Sequence, residues 1–329
     1  MDRHHSPQEC PAGRTGLNRR NFLGTASAAT FAATLPPLLQ SRPALAAPSG
    51  SSGAETGVKQ LHASLSDAQR KIVVLPFNDA RRKKISPNWK ITTATIGDFF
   101  RPDQQELITG IFKSVTSEDG FDRFSRQMDD DYGGLRKYAV AIFGDPGRGP
   151  FEFELTGRHH TIRADGDTVD RVAFGGPVVY GHGVRGNSSG NLFSYQTKRA
   201  NEVFSALDGK QRQLGLLDDA PRESAVQLRG EGQPRPGIAV GRLSGDQKEL
   251  VEGVLQDILL PYRREDIEEV LAIIKASGGV DKINMAFYKS GDLGKDGSWD
   301  VWRLEGPTLV CHFRGAPHVH AYINVSRRG

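Results

Sequence analysis

Near the end of the chain, "GAPHVHAYIN" (Gly315 to Asn324) puts His318 and His320 one residue apart. In an extended strand residues i and i+2 share a face, so the two imidazoles point the same way. A neutral imidazole pair at that distance can chelate a transition metal such as Cu, Fe or Zn. Two ligands do not complete a coordination sphere, so further donors must come from distant parts of the chain. The bland reading of the same residues is a pair of polar side chains on the wet side of a sheet.

Of nine histidines, two lie near the N-terminus, and His62 begins the body. The others are His159, His160, His182, His312, His318 and His320. His159 and His160 are neighbours in "TGRHHTIR", and strand neighbours face opposite ways, so at most one can enter a given site. Leu309, Cys311 and Phe313 form an apolar face in the matching segment "EGPTLVCHF". His160 goes with Ile162 on the corresponding face as a packing residue, which leaves His159 as a third ligand. His182, in "VVYGHGV", is a candidate fourth ligand. His312 opposes Cys311 and is expected at a surface or edge, while Cys311 reads as a small buried hydrophobe. A first shell shared by these histidines needs His159 within roughly 8 Å of His318, because ligand bonds are near 2 Å.

Other signatures are missing. There is no Cys-x-x-Cys, haem attachment motif or phosphate-binding P-loop. "GHGVRG" lacks the strand-to-helix setting of a dinucleotide site, and "GNSSG" lacks that of a nucleophile elbow. The carboxylates form no telling pair, so no general base is named.

The elements that must position these residues come in two sets. "LSDAQR" (Leu65 to Arg70) matches "LDGKQR" (Leu207 to Arg212), and "DQQELITGIF" (Asp103 to Phe112) matches "DQKELVEGVL" (Asp246 to Leu255). "VAIF" then meets "MAFY", and "FELTG" meets "WRLEG", in the same order. Ordered matches at slowly growing offsets are what duplication and small insertions leave. Leu107, Ile108, Ile111 and Phe112 fall at helical spacing, as do Leu250, Val251, Val254 and Leu255. "YAVAIF" and "INMAFY" suit buried strands, and "FEFELTG" and "WDVWRLEG" alternate towards hairpins at Gly157 and Gly306. The expected fold is α+β, an internally duplicated helices-plus-antiparallel-hairpin unit with a pseudo-twofold axis. The units span about 62–165 and 204–325 of a single domain over 61–329, and their strands share one sheet or form two. Between them, Gly166 to Ala200 is Gly-, Ser- and Asn-rich and reads as a long functional loop.

The chain carries 43 basic and 39 acidic side chains over 329 residues. Residues 1–46 hold five of the former and two of the latter, so the body is balanced to within one charge. A neutral body gives no electrostatic case for nucleic acid. No apolar run reaches the roughly 18 residues of a membrane span. In "LNRRNFLG", Arg19 and Arg20 precede an apolar, Ala-rich stretch that ends in "ALAAP". This resembles a twin-arginine signal peptide over 1–46, followed by a flexible linker over 47–60. It implies the twin-arginine export machinery as a partner and a periplasmic or secreted location. Cys10 would leave with the leader, so Cys311 would have no partner for an internal disulfide.

Taken together, "QRKIVVLPFNDARR", "YAVAIFGDPG", "FELTGRHHTIR", "GGPVVYGHG", "LDGKQR", "WRLEGPTLV" and "HVHAYIN" are similar to the ordered motifs of a bacterial family catalogued as domain of unknown function thirty-five hundred. The resemblance covers nearly all of residues 62 to 325. It implies a Gly-His-His hairpin and a terminal His-x-His, which here fall on Gly157, Arg158 and His159, and on His318 and His320. Arg158 stands where the family often has the first histidine, and "AYIN" where an aromatic-Arg-Asp ending is common. The resemblance supports the fold and the choice of histidines and brings no reaction with it.

The sequence therefore points to an exported metal-binding protein, with oxidoreductase or hydrolase chemistry on a small substrate as the active reading. The competing reading is a non-enzymatic periplasmic ligand-binding or cell-envelope protein, with a small molecule held by the aromatic-rich central segment. Sequencing the N-terminus of exported protein should read from about Ala47. Replacing Arg19 and Arg20 together by lysine should retain the precursor inside, and export at an unchanged rate would refute the twin-arginine route.

Overall fold

Alternation of apolar residues gives the strands one oily and one polar side, and the whole architecture follows from covering both. The computed structural model describes residues 47–327 except 167, 170 and 187, so the leader over 1–46 lies outside the described residues. Among the described residues the chain forms helices α1 (Gly53–Ser64), α2 (Asp67–Val73), α3 (Ile96–Phe99), α4 (Pro102–Ser114), α5 (Glu118–Tyr132), α6 (Ser194–Ala206), α7 (Gly209–Gly215), α8 (Gly245–Leu259) and α9 (Arg264–Ala276). Its strands are β1 (Val74–Leu75), β2 (Ala139–Gly144), β3 (Phe151–Gly157), β4 (His160–Ala164), β5 (Val178–His182), β6 (Leu216–Leu217), β7 (Ile238–Ala239), β8 (Asn284–Tyr288), β9 (Val301–Glu305), β10 (Leu309–Arg314) and β11 (Val319–Val325). All belong to one mixed sheet in the order β1-β2-β3-β4-β5-β11-β10-β9-β8-β6, with β7 beside β8. The fold is α+β, and the strands of both halves share one sheet. At each edge a two-residue strand lies parallel to its neighbour, β1 to β2 and β6 to β8.

The oily face is covered by helices. Val140, Ile142, Phe153, Leu155, Ile162, Tyr180, Ala321, Ile323, Cys311, Phe313, Trp302 and Leu304 join one core with Val58, Ile108, Phe112, Phe124, Val251, Leu255 and Val270. His160 belongs to this core, with Phe124 and Phe112 edge-on at 4.6 and 5.8 Å, as its pairing with Ile162 predicted. The opposite face carries Glu152, Glu154, Arg163, Arg303, Glu305 and His312, all buried. Small apolar clusters there draw Phe77, Ile85 and Trp89 from one loop and Ala220, Val226 and Leu228 from another. His312 was expected at a surface or edge. It does face away from Cys311, but the second layer of loops buries it.

Two other expectations are corrected. Residues 47–60 are not a flexible linker throughout, since α1 starts at Gly53 and buries Ala54, Val58 and Leu61. Gly166 to Ala200 is not a loop, since it holds the central strand β5 and the start of α6. The β-branched "VV" and the buried Tyr180 outweigh the flanking glycines there.

The recurring glutamines explain themselves as clasps. Gln69 caps α2 reciprocally with Ser66, and the Gln104 side chain accepts from the Arg101 N–H at the start of α4. The two amides also exchange bonds of 2.8 and 3.1 Å, tying the two helix starts together. Gln211 and Gln247 do the same for α7 and α8, at 3.1 and 2.8 Å. Each clasp satisfies helix-end N–H groups that would otherwise be orphaned.

Gln104→Ala should cost about 1–3 kcal/mol, because it leaves the buried Gln69 amide and the Arg101 N–H short of partners. Denaturant titration of both single variants and the double variant should find strong non-additivity. Acid should also weaken the fold through His312, whose imidazole burial, then the Arg303 charge, push down from 6.5 to about 3. The unfolded chain takes up that proton near 6.5 and the folded one does not. Stability therefore falls as pH drops from 6.5 towards 3, by up to about 1.4 kcal/mol per pH unit for this one group. His312→Phe should flatten the stability curve over that window.

Candidate metal centre

His159, His318 and His320 converge at the end of the β5–β11 seam. Their rings lie 4.9 Å (His159 to His318), 5.0 Å (His159 to His320) and 4.7 Å (His318 to His320) apart, centroid to centroid. One ring nitrogen from each lies within 4.8 Å of the other two. His320 follows Val319 at the start of β11, so it points away from the helix-covered face. His318 enters from the turn before that strand. His159 arrives from the other half, in the two-residue turn between β3 and β4, where Gly157 pairs with His160. Its φ of 57° is unusual for a residue with a Cβ. The turn is held from outside by the His159 N–H donating to the Pro87 carbonyl at 2.5 Å. The Arg158 carbonyl accepts from Tyr138 Oη at 2.7 Å and Gln127 Nε2 at 3.1 Å.

Two carboxylates fix the ring orientations. Asp131 Oδ2 lies 2.7 Å from His159 Nδ1, and Glu223 Oε2 lies 2.7 Å from His320 Nδ1. A carboxylate at Nδ1 takes the N–H there and leaves the lone pair on Nε2. Asp131 is itself held by Gln127 Nε2 at 2.9 Å and by the Gly183 N–H at 2.9 and 3.1 Å to its two oxygens. Glycine is needed at 183, because a Cβ there would sit 2.5 Å from Asp131 Oδ1. Glu223 reaches in from the loop over residues 218–237 and also binds Arg314 Nη1 at 2.5 Å and Tyr322 Oη at 3.2 Å. Burial alone would raise both carboxyls. Hydrogen bonds from His159 and Gln127 instead hold Asp131 below its ordinary value. The His320 hydrogen bond and charge, with Arg314, bring Glu223 down to about 2.

His318 lacks a carboxylate. Its Nε2 accepts from Arg314 Nη2 at 3.2 Å and stands 3.0 Å from His320 Nε2. Burial, then the charges of His320, Arg314, His159 and Arg158, push it down to about 4. Burial likewise lowers His320, against the pull of Glu223. At neutral pH both rings are uncharged, and the hydrogen-bond partners put a lone pair on each of the facing nitrogens. His159 Nε2 is buried and makes no hydrogen bond. Three lone pairs thus surround one small volume. Donors about 2 Å from one ion and at roughly right angles to each other lie about 3 Å apart, so the 3.0 Å contact fits a shared cation. His159 and His320 are buried, and the partly exposed His318 gives the site its access.

His182 does not join this group. It pairs with Val319, which turns it to the helix-covered face. Both its nitrogens are committed, Nδ1 to the Leu192 N–H at 3.1 Å and Nε2 to Asp130 Oδ2 at 3.2 Å. Its neighbour Gly183 is the residue that serves the site. Asp131, Glu223 and Arg314 were missed from sequence. Glu223 is 97 positions from its imidazole in a loop without periodicity, and nothing local marks it. Asp131 stands in "MDDDY" on the last turn of α5, where the triple acid was the available signal.

Among the described residues no helix is long and apolar enough to cross a membrane. A family model described as protein of unknown function (DUF3500) matches residues 51–325, and the chain belongs to that family. No curated protein and no solved structure matches the chain.

Proposed function

We propose that this member of the DUF3500 family is an exported metalloprotein in which the Nε2 atoms of His159, His318 and His320 hold a Cu, Fe or Zn ion. The observation that carries the reading is the pair of facing lone pairs on His318 and His320, 3.0 Å apart, with the buried and unpartnered His159 Nε2 beside them. Neutral nitrogens in that arrangement repel one another and attract a cation. Carboxylates behind two of the three imidazoles are the second shell that metal-binding histidines ordinarily have. Three protein ligands leave a coordination position open, and an ion held so supplies Lewis acidity or a water acidified for attack, the basis for oxidoreductase or hydrolase chemistry on a small substrate. Around it the chain's own residues orient His159 and His320, through Asp131 and Glu223, while burial keeps His318 and His320 neutral. Export rests on Arg19, Arg20 and the "ALAAP" segment.

The site is the product of an unequal duplication in the same proposal. The two glutamine clasps join corresponding helix starts, and the parallel edge strands recur in both halves. The hairpin position of His159 corresponds to Thr308, whose hydroxyl instead bonds Ser277 Oγ at 2.9 Å. One half therefore supplies a ligand where the other supplies a helix contact.

Elemental analysis of natively exported protein should find one transition-metal ion per chain, lost from the folded His318→Ala/His320→Ala variant. No metal in the unaltered protein, even after reconstitution, would overturn the reading. Glu223→Gln should weaken the ion's binding about 10–100-fold by loosening the His320 orientation, measured by competition with a chelator.

A further inference from the structure

The metal reading leaves the substrate class open, and the charges around the three histidines bear on it. Neutral imidazoles leave the full charge of a divalent ion in place. Asp131 and Glu223, the carboxylates that hold the rings, would by themselves cancel it. Asp130, next to Asp131, is already engaged by His182 at 3.2 Å and Arg126 at 3.7 Å. Two arginines restore the positive balance. Arg158 precedes His159 in the hairpin turn, and Arg314 Nη2 lies 3.2 Å from His318 Nε2. A site counted this way is positive by the full charge of its ion.

Arg314 also has the geometry to use that charge. Its Nε donates to the His318 carbonyl at 3.3 Å, and its Nη1 is tied to Glu223 at 2.5 Å. These two contacts fix the plane of the guanidinium and leave Nη2 aimed at His318 Nε2, 3.2 Å away. An ion on the three Nε2 atoms takes the lone pair that Nη2 now uses. The Nη2 group then stands beside the ion with a donor and no acceptor, while the rest of the side chain stays anchored. A fixed N–H donor next to a cation's open position suits an oxygen that bears negative charge.

We infer that the open coordination position takes an anion, a carboxylate or comparable oxyanion group of the substrate, which Arg314 Nη2 holds beside the ion while Arg158 adds its charge. This inference rests on the three-histidine metal reading. No bond is made or broken in it; one anionic oxygen replaces water at the ion and gains a donor. Arg314 is the specificity-determining residue, because a neutral ligand gains nothing from its guanidinium.

The test uses the full-length mature protein loaded with Co(II), whose visible ligand-field absorption reports ligand exchange at the ion. Acetate is titrated as the anionic probe and imidazole as the neutral one. Acetate should shift the spectrum saturably. Arg314→Lys should weaken acetate about tenfold, the size expected for one charge-assisted contact. Arg158→Gln, which removes only a nearby charge, should weaken it less, and both should leave imidazole within about twofold. Lysine at 314 keeps the ion pair with Glu223 available, and the Co(II) content of each variant shows whether the ligand set is intact. Full Co(II) content with no acetate response, or equal weakening of both probes, would overturn the inference and leave the metal site standing. Failure of the unaltered protein to take up Co(II) would overturn both.

Discussion

The pairing of β5 with β11 is the constraint on which the rest of the molecule depends. Five residue pairs, from Val319 opposite His182 to Ile323 opposite Val178, join the strands of one half to those of the other. Without that seam the sheet would end in two open edges, each an unsatisfied row of backbone donors and acceptors. Its register is fixed from both sides, because Val178, Tyr180, Val319, Ala321 and Ile323 must enter the helix-covered core. A slip by one residue would turn that whole set outward and drive His320 into oil. Gly181 contributes at the same place, since a Cβ there would meet the Val319 carbonyl at 2.2 Å and the His320 ring at 3.1 Å. Close backbone approach across the seam is what brings the terminal His-x-His under the hairpin of the other half.

The face that carries His320 buries charged side chains between its small apolar clusters, and that has a physical reason. Arg163 lies fully buried between Glu152 and Glu154, and Arg82 reaches Glu152 at 2.8 Å from the covering loop. Burial pushes the Glu154 carboxyl up, against the pull of Arg163. On the other half, Glu305 takes Arg303 at 2.8 Å and Arg229 at 2.9 Å. Deleting one partner of such a pair strands the other and typically costs about 3–5 kcal/mol. These charges are kept by loops and one short 3-10 turn (80–83) that close over the sheet, rather than by α-helices. A layer built from loops can bring a single carboxylate, such as Glu223, to a chosen atom without the spacing a helix imposes. The same layer that satisfies the buried charges also orients His320, through Glu223.

Much of this was legible in the sequence, where local spacing or recurrence carried it. The helical spacing of Leu107, Ile108, Ile111 and Phe112 gave α4, and His160 packs with Ile162 as alternation predicted, whereas His159 parts from it by lying in the turn and not in a strand. Residues repeated in both halves are structural, as the Gln69–Gln104 and Gln211–Gln247 clasps illustrate. What failed needed tertiary information. Glycines flanking "VVYGHG" suggested a loop, yet a strand between two partners tolerates them because its neighbours supply the ladder. His182 lies two residues past Tyr180 on the same face, and that register relative to β11 is invisible before the seam is known. His312 was placed by alternation on the correct face, but alternation does not say whether that face is wet. Neither Asp131 nor Glu223 belongs to a motif, because a carboxylate that orients an imidazole needs only proximity.

Glu223 gives the long loop a thermodynamic meaning. Between Leu217 and Ile238 the chain forms no helix or strand, yet it meets the sheet through Glu223, through the Val226 carbonyl, which accepts from Asn324 at 2.8 Å, and through the Ala225 carbonyl, which accepts from Arg303 at 2.7 Å. An imidazole oriented by Glu223 exists only while that segment is docked. A ligand that prefers the oriented imidazole would therefore favour the docked segment. By the same linkage, occupancy of the site would add to the protection of residues 218–237 from a protease. The loop would in that sense serve as a gauge of the centre beneath it.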